Sequence, residues 1–235
     1  MSSPGRSVTL PAKALRPPPR RRAPATAGPV AVRPDWRGRR LFDVVAAAAM
    51  LALSLPLLVA VAVAVRASSP GPVLFRQRRV GLGGRPFHIL KFRSMHADAE
   101  DRLRADARLH EAYLDQDHKL PGDADPRTTS VGRVLRRLSL DELPQLLNVL
   151  GGTMSLVGPR PVVPDELACY GELVAAYTGV RPGMTGAWQV SGRSEVPFPD
   201  RARIDAAYAR SRSPGVDLAI LARTPLAVLS HRGAR

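Results

Sequence analysis

The sequence predicts an α-rich α+β protein: a small domain containing a β-hairpin, anchored by an N-terminal helix-break-helix membrane segment. Three observations carry this. An almost unbroken apolar run covers Leu41 to Val65; two alternating segments flank a glycine turn at 81–84; and most of the chain beyond the second of these segments has helical spacing. The chain of 235 residues divides into a basic tail over 1–38, a membrane segment over 39–66 and a domain over 67–235. Its formal net charge of +15 predicts attraction to nucleic acid, an anionic membrane face or phosphorylated substrates, without choosing among them. Cys169 is the single cysteine, which excludes an intramolecular disulfide and leaves no cysteine-based zinc site. His88, His96, His110, His118 and His231 show no metal-ligand spacing.

The tail over 1–38 mixes Pro17, Pro18, Pro19, Pro24, Pro29 and Pro34 with many arginines and few large apolar residues. Such a composition cannot bury enough surface to offset its chain entropy, so disorder is expected, with adhesion to anionic headgroups as a function. The apolar run is long enough to cross a hydrocarbon core of about 30 Å at about 1.5 Å per residue. It exceeds the 7 to 15 apolar residues, roughly, of a signal peptide, and Arg66 stands where a small-residue cleavage motif belongs. Pro56 lies mid-run and predicts a bend, with the Ser54 hydroxyl available to a carbonyl one turn back. Arginines flank both ends: Arg37, Arg39 and Arg40 before, Arg66, Arg76, Arg78 and Arg79 after. A crossing helix has its positive charge on one side, so this symmetry fits a hairpin returning to the same face. A single-pass anchor with a tolerated proline is the other reading, and the residues leave both open.

Val73–Val80 and Pro86–Phe92 read as hairpin strands that would gather Arg76, Arg78, Lys91 and Arg93 into one basic surface. The intervening glycines lack the dinucleotide-binding spacing. Residues 97–117 read as a charged surface helix, and LPGDADPRTTS as a loop. Helices are expected over 165–178, 200–211 and 216–230, with a turn-rich loop over 181–193.

The stretch RRLSLDELPQLLNVLGGTMSLVGPRP concentrates the chemistry. Ser139 and Glu142 match a capping box, which would make the stretch merely a capped helix. With Asp141 as N-cap instead, Pro144 falls in the first turn, where no donor is missed. In either register Asp141 sits at a helix N-terminus among Arg133, Arg136 and Arg137, an environment expected to lower its pKa and keep it ionised. The same positive end suits a phosphate, Arg160 adds a guanidinium after the Gly151-Gly152 turn, and a divalent cation would hold carboxylate and phosphate together. Capping and a phosphate site stand level on these residues alone.

Several motifs in order then resemble one family, the bacterial sugar transferases, or monotopic phosphoglycosyl transferases: RRLFD, the Pro56 break, PGPVLFRQRRVG, FHILKFRSM, LRRLSLDELPQLLNVLGGTMSLVGPRP, RPGMTGAWQVSGR and the terminal GAR. The resemblance implies a catalytic domain held on the cytoplasmic face of the bacterial inner membrane by a re-entrant helix. It implies transfer of a sugar 1-phosphate from a UDP-sugar to polyprenyl (undecaprenyl) phosphate, releasing UMP through a covalent aspartyl phosphosugar, as a first membrane step of exopolysaccharide or glycoconjugate synthesis. By motif position Asp141 is the nucleophile and Glu142 its partner, both holding Mg2+. Arg136 and Arg160 match phosphate-binding arginines, while Lys91, Arg93, Arg181, Gln189 and Arg193 are candidate substrate contacts. One departure is that Leu55, not serine, directly precedes Pro56, with Ser54 one residue earlier. Membrane, UDP-sugar and polyprenyl phosphate are the expected partners; nucleic acid is not, since no reading motif occurs. The rival is a non-enzymatic basic membrane scaffold, which would tolerate Asp141→Asn.

Overall fold

The computed structural model describes residues 32–107, 109–111, 125–192 and 196–229. The expected tail over 1–38 therefore lies largely outside the described residues. Helix α1, Arg39–Ser68, is one uninterrupted α-helix with Pro56 inside it. The expected helix-break-helix is thus not realised as an interruption. Pro56 removes a single intrahelical bond, and the Ser54 hydroxyl takes up carbonyls of the preceding turn, donating to Met50 at 2.7 Å and to Leu51 at 3.3 Å.

Both halves of α1 pack on the same domain while its middle is bare. Ala47 joins the main core with Leu146, Val149, Met154 and Leu156, and Val61 and Val65 join a second cluster with Phe92 and Leu135. Between them Leu53 is 86% exposed. Arg39 reaches the Val157 carbonyl at 2.7 Å, and the Asp43 carboxylate accepts from the Leu156 amide at 3.0 Å.

Strands β1 (Leu74–Val80) and β2 (Pro86–Phe92) form the expected antiparallel hairpin. Its register does not gather the four basic residues. Lys91 pairs with Phe75 and Arg78 with His88, so the alternation of strand side chains sends Lys91 to one face and Arg76 and Arg78 to the other. Helices α2 (Ala99–Ala105), α3 (Ser130–Arg137) and α4 (Gln145–Leu150) come next. The surface helix expected over 97–117 is shorter, breaking at Asp106, and residues 112–117 lie outside the described ones.

Strands β3 (Ser155–Val157) and β4 (Gly183–Thr185) pair in parallel, and the crossover between them contains α5 (Pro164–Leu167), a 3-10 segment and α6 (Val174–Thr178). The expected helix over 165–178 is broken at Gly171, whose φ of 52° no helix accepts. The expected loop over 181–193 holds β4. Helices α7 (Phe198–Ser211) and α8 (Pro214–Leu229) match expectation to within two residues.

Candidate active site

The carboxylate pair is positioned by α3 and the turn after it. Thr129 caps α3, its hydroxyl accepting from the Gly132 amide at 2.9 Å. A Cβ at Gly132 would collide with the Ser94 carbonyl, so only glycine lets α3 lie this close to the chain leaving β2. One turn later Arg136 donates from Nε to the Ser94 hydroxyl at 2.8 Å. Ser139 then takes a left-handed conformation, φ 55°, and Leu140–Glu142 forms a 3-10 turn ahead of α4.

This overturns the capping reading. The Ser139 side chain caps nothing, and Pro144, not Ser139 or Asp141, occupies the N-cap of α4. The proline's missing donor is therefore harmless, as expected, but Asp141 stands upstream of the helix start. Capping does not account for its presence.

Asp141 is only 8% exposed, and among the described residues no hydrogen bond or ion pair within 4.0 Å holds its carboxylate. Its neighbour Glu142 is engaged, pairing with Lys91 Nζ at 2.7 Å and lying 3.9 Å from Arg160. The expected lowering of the Asp141 pKa is reversed: burial, reinforced by the Glu142 charge, pushes it up to about 6, against the pull of Lys91, Arg136 and Arg160. Desolvation outweighs three cations because none of them touches the carboxylate. At pH 7 the group is still mostly ionised, and it is the more basic and nucleophilic for the shift.

Glu142 lines a small pocket together with Arg79, Lys91, Gln145, Arg160 and Gln189, with Ile89 and Met184 among its apolar wall. Gln189 donates from Nε2 to the Met184 carbonyl at 3.2 Å, while its Oε1 is buried with no hydrogen-bond partner among the described residues. The structure thus brings together Asp141, Glu142, Lys91, Arg160 and Gln189, with Arg136 close enough to act on Asp141 through its charge.

Two candidates are placed elsewhere. Arg93 turns back onto the end of α1, donating to the Ser69 carbonyl at 2.6 Å and the Pro70 carbonyl at 2.9 Å. Arg181 donates to the Gly152 carbonyl at 3.1 Å and lies 3.4 Å from Asp35. Both guanidinium groups serve as structural ties in this arrangement. Arg193 lies outside the described residues. Arg79 and Gln145, which line the pocket, were not singled out from the sequence. Strand parity would have found Arg79, since residue 79 shares a face with Gln77 and with Ile89 and Lys91 of the partner strand.

Among the described residues no group of three or more His, Cys, Asp or Glu side chains is placed to hold a metal. Magnesium, which keeps several waters and takes one or two carboxylates with substrate phosphate oxygens, does not require such a group.

Comparison with known proteins gives matches over most of the chain. A family model described as bacterial sugar transferase matches residues 35–231. The exopolysaccharide production protein ExoY of Rhizobium meliloti (strain 1021) is 44% identical over 206 residues, 87% of this chain and 91% of that protein. The UDP-glucose:undecaprenyl-phosphate glucose-1-phosphate transferase of Caulobacter vibrioides is 44% identical over 204 residues, 83% of this chain and 71% of that protein. The undecaprenyl-phosphate galactose phosphotransferase of Salmonella typhimurium is 43% identical over 199 residues, 83% of this chain but 41% of that longer protein.

Proposed function

The chain belongs to the bacterial sugar transferase family, and from that premise we propose that it transfers a sugar 1-phosphate from a UDP-sugar to polyprenyl phosphate. The observation that carries the reading is Asp141: a buried carboxylate without a structural partner among the described residues, next in sequence to Glu142, which lines a pocket rich in cations.

In the first step an Asp141 carboxylate oxygen attacks the β-phosphorus of the UDP-sugar. The bond from that phosphorus to the bridging oxygen breaks, UMP leaves with the electron pair, and an aspartyl phosphosugar remains. In the second, an oxygen of polyprenyl phosphate attacks the same phosphorus and Asp141 leaves, giving polyprenyl diphosphosugar and the original carboxylate. Lys91, Arg136 and Arg160 offset the charge that gathers when an anionic nucleophile meets a diphosphate. Lys91 also holds Glu142 in place. Asp141 and Glu142 would hold magnesium, which when bound neutralises phosphate charge as a Lewis acid.

The membrane arrangement that best suits this chemistry is a re-entrant α1, with the domain on the cytoplasmic face of the inner membrane. Support comes from the two ends of α1, both hydrogen-bonded to one domain, and from its apolar composition. The test is UMP release from a panel of UDP-sugars with undecaprenyl phosphate, using the membrane fraction. UMP formation by the wild type and its loss in Asp141→Asn are expected; no UMP from any sugar, or full activity in the variant, overturns the reading.

A further inference from the structure

The end of β1 is fastened to the turn that carries Arg160. The Val80 amide donates to the Val162 carbonyl at 3.0 Å, and Arg79 Nη1 donates to the Pro161 carbonyl, also at 3.0 Å. Arg79 and Arg160 are thereby held on one wall by a backbone bond and by the Arg79 side chain's own bond to the turn, not by any attraction between the two guanidinium groups. Both line the pocket next to the carboxylate pair.

Within the pocket lining, of which Asp141 and Glu166 are not part, cations outnumber carboxylates. The pocket lining has Arg79, Lys91 and Arg160 against the single carboxylate of Glu142, which Lys91 already engages at 2.7 Å. Glu166 lies 3.6 Å from Arg79 but is also used by the Val163 amide at 3.2 Å. Arg79 Nη2 donates to Gln77 Oε1 at 2.6 Å and Nη1 to the Pro161 carbonyl, which leaves the buried Nε as the one guanidinium nitrogen with no hydrogen-bond partner among the described residues. Burial and then the Arg160 charge push the Arg79 pKa down, and the same two causes act on Arg201, which stacks 4.7 Å over the Trp188 ring. Like charges fixed in a partly buried wall oppose the fold until an anion arrives, and a guanidinium pair matches phosphate oxygens in shape as well as charge.

We propose that Arg79 joins Arg160 in a phosphate subsite of its own, on the pocket wall made by β1 and the 158–162 turn. The proposal rests on the transferase reading, in which two phosphate-bearing molecules use one pocket in succession. The bound group is a phosphate, brought either by the nucleotide or by the lipid carrier.

The experiment measures equilibrium binding, so it does not depend on turnover. Detergent-solubilised full-length wild type, Arg79→Gln, Arg79→Lys and Arg160→Gln are titrated calorimetrically with UMP and with a short-chain polyprenyl phosphate. Arg79→Gln and Arg160→Gln are each expected to weaken at least one ligand tenfold or more, with Arg79→Lys recovering part of the loss. The ligand that weakens identifies the source of the phosphate. Should Arg79→Gln fail to fold, Arg160→Gln and Arg79→Lys carry the test, since the Arg160 side chain is 41% exposed. Unchanged binding of both ligands in every folded variant overturns the subsite, as does a wild type that binds neither. A wild type that releases no UMP counts against the transferase reading instead, while a wild type that turns over beside variants that bind normally sinks only the subsite.

Discussion

The Asp141 carboxylate works against the fold when it is charged. Its pKa, pushed up to about 6 by burial and then by Glu142, lies above the ordinary 3.8, so the native state binds the proton more tightly than the unfolded chain does. The stability cost is therefore fully present above about pH 6 and disappears as pH falls toward the ordinary carboxylate value. Asp141→Asn removes the charge at nearly constant shape. Its melting temperature at pH 8, followed by scanning calorimetry in detergent, should rise by a few degrees, roughly the effect of 1 to 2 kcal/mol in a domain of this size, while UMP release falls to background. A melting point that drops would argue against an unpaired buried charge. In the wild type, kcat/KM should fall tenfold per pH unit below about pH 6, because only the ionised form attacks. Lys91→Gln takes away a charge that favours ionisation, so its acid limb should move to higher pH; a limb that stays put would place Lys91 away from the nucleophile. The pair and its arginines were legible in the sequence because they are contiguous in it. The sign of the pKa shift was not, because the burial depends on β2, some fifty residues away, packing onto the turn.

At the scale of single elements, the turn before α4 and the end of α1 are the two places where backbone geometry positions the site. Ser139 is the one non-glycine residue with positive φ, at 55°, among the described residues, and it opens the turn that presents Asp141. Ser139→Val puts a branched side chain into the left-handed region, at a cost of about 1 to 2 kcal/mol, and should lower turnover more than it lowers UMP affinity. Equal turnover in this variant would show that the turn need not hold its shape. Arg93 closes the C-terminal end of α1 through carbonyls of Ser69, Pro70 and, at 3.4 Å, Val65. Arg93→Met should cost about 3 kcal/mol, the order expected when buried acceptors lose a charged donor, and should be read as a lower unfolding midpoint in detergent. The hairpin limits and the Ser54 bond could be read in advance because each comes from a local pattern. The parallel β3–β4 pair could not: its strands are three residues long, too short to show alternation, and pair only across a long crossover. The Arg93 clamp was hidden for a related reason, since a basic residue ending a strand looks the same whether it faces a ligand or a helix end.

Across the whole molecule, the membrane topology depends on where α1 is held. A helix of thirty residues is about 45 Å long, more than enough to cross a hydrocarbon core of about 30 Å. Length alone would send its two ends to opposite faces. Yet at its start Arg39 bonds Ser155 and Tyr208, and Arg40 bonds the Val149 carbonyl at 2.6 Å; at its end Arg93 bonds Ser69, and Val65 packs on Phe92 and Leu135. All of these partners belong to one domain, and no membrane can pass between them without breaking one set of contacts. The bare middle, with Leu53, Leu55 and Val59 all more than half exposed, is what remains for lipid to cover. The prediction is that both flanks of α1 lie on the cytoplasmic face. It can be checked with single cysteines at Arg37 and Pro70 in a Cys169→Ser background, which removes the native exposed thiol. A membrane-impermeant maleimide should label neither position in intact spheroplasts and both in inverted vesicles. Labelling from opposite faces would mean that the contacts at one end of α1 are not made in the membrane, and the re-entrant arrangement would fall with them.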